Sequence, residues 1–209
     1  MEMKIMQMIT SEVDISTKNI KEILKSEPWT FTIEQYAIED IGNLSVMNGS
    51  AAMGTKTREV ITITPIYKDA PILEYNRFMW LGKDNITINL FDLTASRGDY
   101  SDFDEILEEF EDYTDIDRAP EWYDSILRKE SVAKNGKKAT LVMSDLFVSY
   151  LEKYLQLVKK GKDCDNSQLI ASFTEKLVSE GGELTTAFVE HNSKEKIEEL
   201  YKKIIFGIL

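Results

Sequence analysis

The sequence predicts an α+β fold, a central antiparallel β-sheet flanked by helices, and three observations carry that expectation. Residues 29–94 hold short alternating or β-branched segments with turn residues between them. Residues 100–209 hold apolar stripes at helical spacing. The connections between the strand-like segments are short, which favours antiparallel neighbours in meander order. Strands first and helices after is the α+β pattern, with helices packed on the faces of one sheet.

In chain order, residues 1–10 are apolar in spots but carry Glu2 and Lys4 and lack a small-residue cleavage site, unlike a signal peptide. Residues 14–25 read as an N-terminal helix. Ser16 is a candidate cap, Ile15, Ile20, Ile23 and Leu24 supply the stripe, and Pro28 closes it. Residues 29–38 and 43–53 read as strands, with Asp40-Ile41-Gly42-Asn43 as the hairpin turn. Asn48-Gly49-Ser50 marks a bulge or a second turn.

Residues 58–94 are the stretch around which the rest is organised. Residues 58–64 are β-branched, and Pro65 and Pro71 interrupt pairing because proline removes a backbone N–H. Residues 76–81 resume the sheet with Phe78 and Trp80 on one side, so Trp80 is expected in the core. After the turn at 82–85, Ile86, Ile88 and Leu90 alternate with Thr87 and Asn89. A strand pair of this kind is a good floor for a pocket.

Helical spacing then takes over. Phe103, Ile106, Leu107 and Phe110 share one face of a short acidic helix, and residues 119–128 give a helical turn after Pro120. Residues 134–138 read as an exposed loop. Residues 141–160 form a long helix with Leu141, Phe147, Leu151, Tyr154, Leu155 and Val158 inward. Residues 167–180 form another, ended by Gly181-Gly182. Residues 183–208 continue as one or two helices broken near His191-Asn192. The 209 residues are expected to make a single domain.

Composition removes several function classes. No apolar run is long enough to cross a membrane. A net charge of −12 repels nucleic-acid phosphate. One cysteine, Cys164, and one histidine, His191, leave no basis for a metal site, an iron–sulfur cluster or a disulfide, and point to the cytoplasm. His191 reads as a surface or capping residue. Acidic residues concentrate at 99–117, either a solvated face or a docking surface for a basic partner. No phosphate-cradling glycine loop is present. Carboxylates and an apolar groove remain.

Asp69-Ala70-Pro71-Ile72-Leu73-Glu74-Tyr75-Asn76, followed fifteen residues later by Phe91-Asp92-Leu93-Thr94, resembles the ferredoxin-dependent bilin reductases. Those enzymes carry a D-x-P-hydrophobic-x-G-x-D segment on one strand and an aliphatic-x-D-L-S-P segment on the next. Pro120-Glu121-Trp122 is similar to the family's P-x-W, and residues 201–206 to its Y…LF ending. The resemblance spans residues 29–209. It implies an α/β/α sandwich with a linear tetrapyrrole held between the sheet and the C-terminal helices. It also implies no tightly bound organic cofactor, with electrons supplied by an external ferredoxin or flavodoxin.

Two positions depart from that pattern. The second Asp, the family's proton donor, is here Asn76, which can hydrogen-bond to a pyrrole or lactam but holds no proton to give. Phytochromobilin synthases also have Asn at this place and use acids elsewhere. The histidine that several family members place on the preceding strand is absent near Val60. Glu74 replaces the family glycine, and either faces the groove as an alternative acid or is a solvated edge residue. Asp92 matches the D-L-S-P aspartate or simply caps the following turn. Arg77, Lys83 and Arg97 either pair with propionates or are solvated. Tyr75, Phe78, Trp80, Phe91, Trp122 and Tyr123 either wall a flat ligand or are plain core. The candidate site is therefore Glu74 and Asn76 for chemistry, with Arg77, Phe78, Trp80, Asp92 and Arg97 for substrate. Rival readings are a non-catalytic binder of a pigment or apolar ligand, and an acidic protein-interaction module.

Overall fold

The computed structural model describes residues 2–96, 98–136 and 140–209. Its centre is an eight-stranded antiparallel sheet in the order β1-β2-β3-β4-β5-β6-β8-β7. The first six strands form a meander: β1 (Ile15–Ser26), β2 (Trp29–Ile38), β3 (Gly42–Ala51), β4 (Lys56–Thr64), β5 (Ile72–Trp80) and β6 (Lys83–Phe91). A two-residue β7 (Thr114–Asp115) and β8 (Val132–Gly136) close the far edge. One face is covered by α1 (Glu2–Glu12), α2 (Asp104–Glu111) and α3 (Thr140–Lys160). The other is covered by α4 (Ser167–Glu180), α5 (Thr185–His191), α6 (Lys194–Leu200) and a π-helical turn at Tyr201–Ile205. The expected α+β sandwich is what the chain adopts.

Residues 14–25 are β1 and not a helix. Ile20 and Leu24 lie four apart, which places them on one face of either structure. Pairing decides it: Ile20 sits opposite Gln35 and Leu24 opposite Phe31, and Leu24 is buried while Ile23 is 61% exposed, as alternation requires. Pro28 lies in the β1–β2 turn. The first helix instead covers residues 2–12, where Ile5 and Ile9 are fully buried in the core that α1 shares with α3. Residues 132–136 are a strand and not a loop, because the edge of β6 would otherwise go unpaired; Lys137 and Lys138 fall outside the described residues. Gly49 makes neither bulge nor turn. It pairs in register with Phe31, whose ring fills the space that a Cβ would take.

The two sheet faces differ in chemistry. Toward α1–α3, Leu73, Tyr75, Ile86, Ile88 and Leu90 make an apolar layer, with Tyr75 stacked on Phe147 at a centroid distance of 3.8 Å. Arg77 lies on this face as well. It is held by Asp84 in a two-pronged ion pair, both distances 2.8 Å, with both side chains 6% exposed. Toward α4–α6, an apolar rim surrounds a polar centre: Thr62, Glu74 and Asn89 form one row across the strands, and Val60, Asn76 and Thr87 the next.

The C-terminal turn is pinned to the sheet by two buried amides. Asn43, fully buried, donates to the carbonyls of Ile204 (3.0 Å) and Ile205 (2.9 Å). Gln35 donates to Asn43 Oδ1 (2.7 Å) and to the carbonyl of Lys203 (2.9 Å). The chain then turns at Gly207, where φ is +71° and a side chain would strike Asn43.

Trp80 is 38% exposed, against the expectation of a core position. The alternation holds, but the hairpin outruns its helical cover, and Lys56 lies over the indole at 4.3 Å. Trp80→Ala is expected to cost about 1–2 kcal/mol in urea unfolding, less than the 3–5 kcal/mol of a fully buried aromatic. Arg77→Met should cost about 3–5 kcal/mol by leaving the Asp84 charge buried and unpaired. Adding Asp84→Leu should restore most of that loss, and equal destabilisation of the single and double variants would refute the pairing argument.

Candidate functional site

A small cavity lies between the polar centre of the sheet and α4–α6. Thr62, Glu74 and Asn76 form its floor, Phe91, Phe173 and Phe206 its apolar walls, and Glu183, Thr185 and Tyr201 its roof. Its volume is about 20 Å³, room for a single water. The floor residues converge because β5 alternates: even-numbered residues from Ile72 to Phe78 face the C-terminal helices, and Glu74 and Asn76 sit at the middle of the sheet where neighbouring strands fence them.

Glu74 is the chemically distinctive group. Burial under the C-terminal helices raises its carboxyl from the ordinary 4.5 to about 7, and the nearby Glu183 carboxylate pushes in the same direction. Asn89 donates to Glu74 Oε1 at 3.3 Å and Arg58 acts from a distance, both opposing the rise. At neutral pH the acid is therefore poised between its two forms, the condition for a general acid. Tyr201 is buried with its hydroxyl 2.8 Å from Thr185 Oγ1, and burial drives its phenol upward, so it stays neutral and able to donate.

Arg58 was not foreseen. Its Nε donates to Asn76 Oδ1 at 2.9 Å, and its Nη2 makes an ion pair with Glu183. Asn76 Nδ2 in turn donates to Glu183 Oε2 at 3.1 Å. The three side chains form a closed ring at the mouth of the cavity. Arg58 sits on β4, two residues before Val60, and β4's alternation in that stretch would have placed it on the same face as Asn76.

The remaining candidates are dispersed. Phe78 shares the face of Glu74 and Asn76 but lies outside the cavity, edge-on to Trp29 and beneath Arg58. Arg77 and Tyr75 face the opposite layer, and Lys83 is exposed in the hairpin. Asp92 caps its own loop: Oδ1 accepts from Ser96 N at 2.9 Å, and Oδ2 pairs with Arg128 at 2.8 Å. Arg97 falls outside the described residues. Tyr123 and Phe91 line the cavity, while Trp122 donates to the Gly181 carbonyl at 2.7 Å beside it. His191 ends α5 with Nδ1 3.1 Å from the Ala187 carbonyl. Among the described residues no cluster of His, Cys, Asp and Glu could hold a metal ion, and no helix is long and apolar enough to cross a membrane.

A second depression of about 500 Å³ lies on the other side of the molecule, between the loop after β6 and the end of α3. Lys153, Lys160 and Lys162 face Asp69, Asp99 and Asp102 there, so the lining favours neither an anion nor a cation.

No model of a known protein family matches the chain, and no curated protein matches it in sequence. Its fold is matched by the crystal structure of selenomethionine phytochromobilin synthase from tomato in complex with biliverdin. The TM-score is 0.76 at 10% identity, over 99% of this chain and 82% of that one. At that identity the likeness is one of fold, and this chain has the α+β sandwich fold of that enzyme.

Proposed function

We propose that the chain binds a linear tetrapyrrole between the sheet and α4–α6, and reduces it with electrons from a ferredoxin or flavodoxin and a proton from Glu74. The observation that carries this reading is Glu74 in the cavity beside Asn76 on the polar centre of the sheet, its carboxyl pushed up toward neutrality by desolvation. It stands in a fold that, in the tomato enzyme, was crystallised with biliverdin. A planar conjugated pigment suits walls of Ile72, Phe91, Phe173 and Phe206, with polar atoms only where pyrrole and lactam groups need partners.

Each residue has a defined task. Reduction of one pigment double bond takes two electrons, delivered singly by the external donor, and two protons. Glu74 gives one proton to the pigment carbon, and water supplies the other. Glu74 is then recharged from solvent through the mouth beside Glu183, whose side chain is 51% exposed. Asn76 orients the pigment with its amide. Electron-donor docking has little net positive surface to use, since Lys159 pairs with Glu12 and Lys202 with Glu175 and Glu198. Lys160 and Lys162 border the 500 Å³ depression.

A second reading is a pigment binder that performs no reduction, favoured by the amide at position 76. Anaerobic incubation with a bilin panel, a reductant and a ferredoxin separates the two. The enzyme consumes the pigment band, whereas the binder shifts it and stops. No spectral change with any bilin would leave the acidic segment 99–117 as the functional surface, with partner binding that weakens as salt is raised.

Glu74→Gln keeps side-chain shape and removes the titratable proton. Pigment binding should persist while turnover falls by roughly 10²–10⁴-fold, the usual worth of a positioned acid. Asn76→Asp in that background should recover part of the rate. Wild-type turnover in Glu74→Gln would make Glu74 a bystander.

The same group predicts a pH dependence of stability. The unfolded chain releases the Glu74 proton near 4.5 and the folded chain only near 7. This contribution is fully present below about 4.5 and is lost as pH rises through about 7, by at most about 3 kcal/mol. Urea midpoints should therefore decline between those values in the wild type and stay flatter in Glu74→Gln.

A further inference from the structure

The ring of Arg58, Asn76 and Glu183 has a feature that simple packing does not require. Glu183 belongs to the short link between α4 and α5, directly after Gly181 and Gly182, and its side chain is half exposed. Its carboxylate nevertheless reaches onto the sheet face, toward Glu74, a second acid. What holds it is Arg58, 14% exposed, whose guanidinium lies over Phe78 and whose Nε is already committed to Asn76. A desolvated guanidinium with a fixed fork asks for a carboxylate.

We propose that Glu183 stands in for a ligand carboxylate: Arg58 and Asn76 build a carboxylate seat, and a planar ligand bearing such a group displaces Glu183 and opens the groove. The inference rests on the tetrapyrrole reading above and deepens it by naming the ligand group that is recognised and the contact that must break. Volume supports it. A cavity of about 20 Å³ cannot hold a tetrapyrrole, for which pockets of roughly 300–1,000 Å³ are usual, so part of the cover must leave. The link at Gly181–Leu184 is the part suited to leaving. Gly181 has a φ of +92°, a conformation natural to glycine, and Gly182 follows it. The cover's attachments beyond the link, through Asn43 and Gln35, through Ser26 to the Ala187 carbonyl and through Asn192 to the Lys25 carbonyl, stay. Displacement is an exchange of like for like, because the incoming carboxylate takes the two donors that Glu183 gives up.

Binding of biliverdin, which carries two propionates, is to be compared with that of its dimethyl ester in wild type, Arg58→Gln and Glu183→Ala. In parallel, amide hydrogen exchange at Gly181, Gly182 and Thr186 is measured on ligand-free protein. The proposal expects wild type to prefer the acid over the ester by roughly tenfold, and Arg58→Gln to bring that ratio near one. Glu183→Ala should tighten acid binding about tenfold, since the competing internal carboxylate is gone. Its three reporter amides should exchange about tenfold faster. If pigment binds but the acid-to-ester ratio is the same in Arg58→Gln and wild type, the seat is overturned while the tetrapyrrole reading stands. If no protein binds either pigment, the tetrapyrrole reading falls and exchange alone decides the latch. Faster exchange in Glu183→Ala then upholds it, and unchanged exchange overturns it.

Discussion

Everything about the C-terminal half follows from one constraint: it must cover a sheet face whose centre is polar. Thr62, Glu74, Asn76, Thr87 and Asn89 offer a covering helix no continuous apolar surface, so area burial alone cannot hold the layer in place. The layer is apolar at its rim, where Phe31 meets Phe188 and Phe91 meets Phe173. It is tied down by hydrogen bonds at several points, among them Ser26 on the Ala187 carbonyl and Asn192 on the Lys25 carbonyl, and two of these points flank the polar centre. One is the Asn43–Gln35 amide pair, which takes the carbonyls of Lys203, Ile204 and Ile205. The other is Glu183 on Arg58 and Asn76. The first is sealed from water and the second is half exposed, so the two differ in strength by the usual gap between buried and solvent-screened polar contacts. Of the contacts that meet the polar centre, the one through Glu183 is the more exposed.

The opposite face shows what the site gives up. There Tyr75 stacks on Phe147, Tyr154 donates to the Pro71 carbonyl at 2.8 Å, and Tyr150 to the Glu130 carbonyl at 2.9 Å. The Tyr150 and Tyr154 hydroxyls find backbone partners and the rings pack on neighbours, which gives a rigid platform. Successive residues of β5 thus divide two tasks. Leu73, Tyr75 and Arg77 hold the sheet to α3 and to its own hairpin, while Glu74 and Asn76 line the cavity on the other side.

This division explains what the sequence revealed. Alternation in β5 and β6 placed Glu74 and Asn76 on one face, and the turn residues at 40–43 and 82–85 located two hairpins. Stripes at 3.6-residue spacing located α3 and α4 nearly to the residue. Failures came where two periods coincide or where the answer is set by a distant partner. Ile20 and Leu24 fit a helix and a strand equally, and only the edge of β2 chooses. Residues 134–136 look like a polar loop until the edge of β6 needs a partner. Trp80 alternates correctly but lies past the end of its cover, a length that no local pattern contains. Arg77 stood next to Asn76 in sequence and on the wrong side of the sheet. Arg58, eighteen residues from Asn76, was the arginine within reach. Neighbours across strands, and not along them, make the site.

The electrostatics of the groove join the proton to the latch. Glu74 holds its proton near neutrality because it is desolvated and because a second carboxylate, Glu183, stands near it. Were the groove to open by losing Glu183 to solvent, water and the loss of a negative neighbour would both lower the Glu74 carboxyl, and the acid would ionise before it could act. In the proposed complex a ligand carboxylate seated on Arg58 and Asn76 would prevent this: it would restore the negative charge that Glu183 withdrew, while the ligand body would restore the desolvation. Glu74 is therefore best kept protonated when an acidic, planar ligand is in place. The open, empty groove is the state in which it discharges. In the arrangement we propose, the carboxylate that opens the site would also be the one that keeps Glu74 protonated.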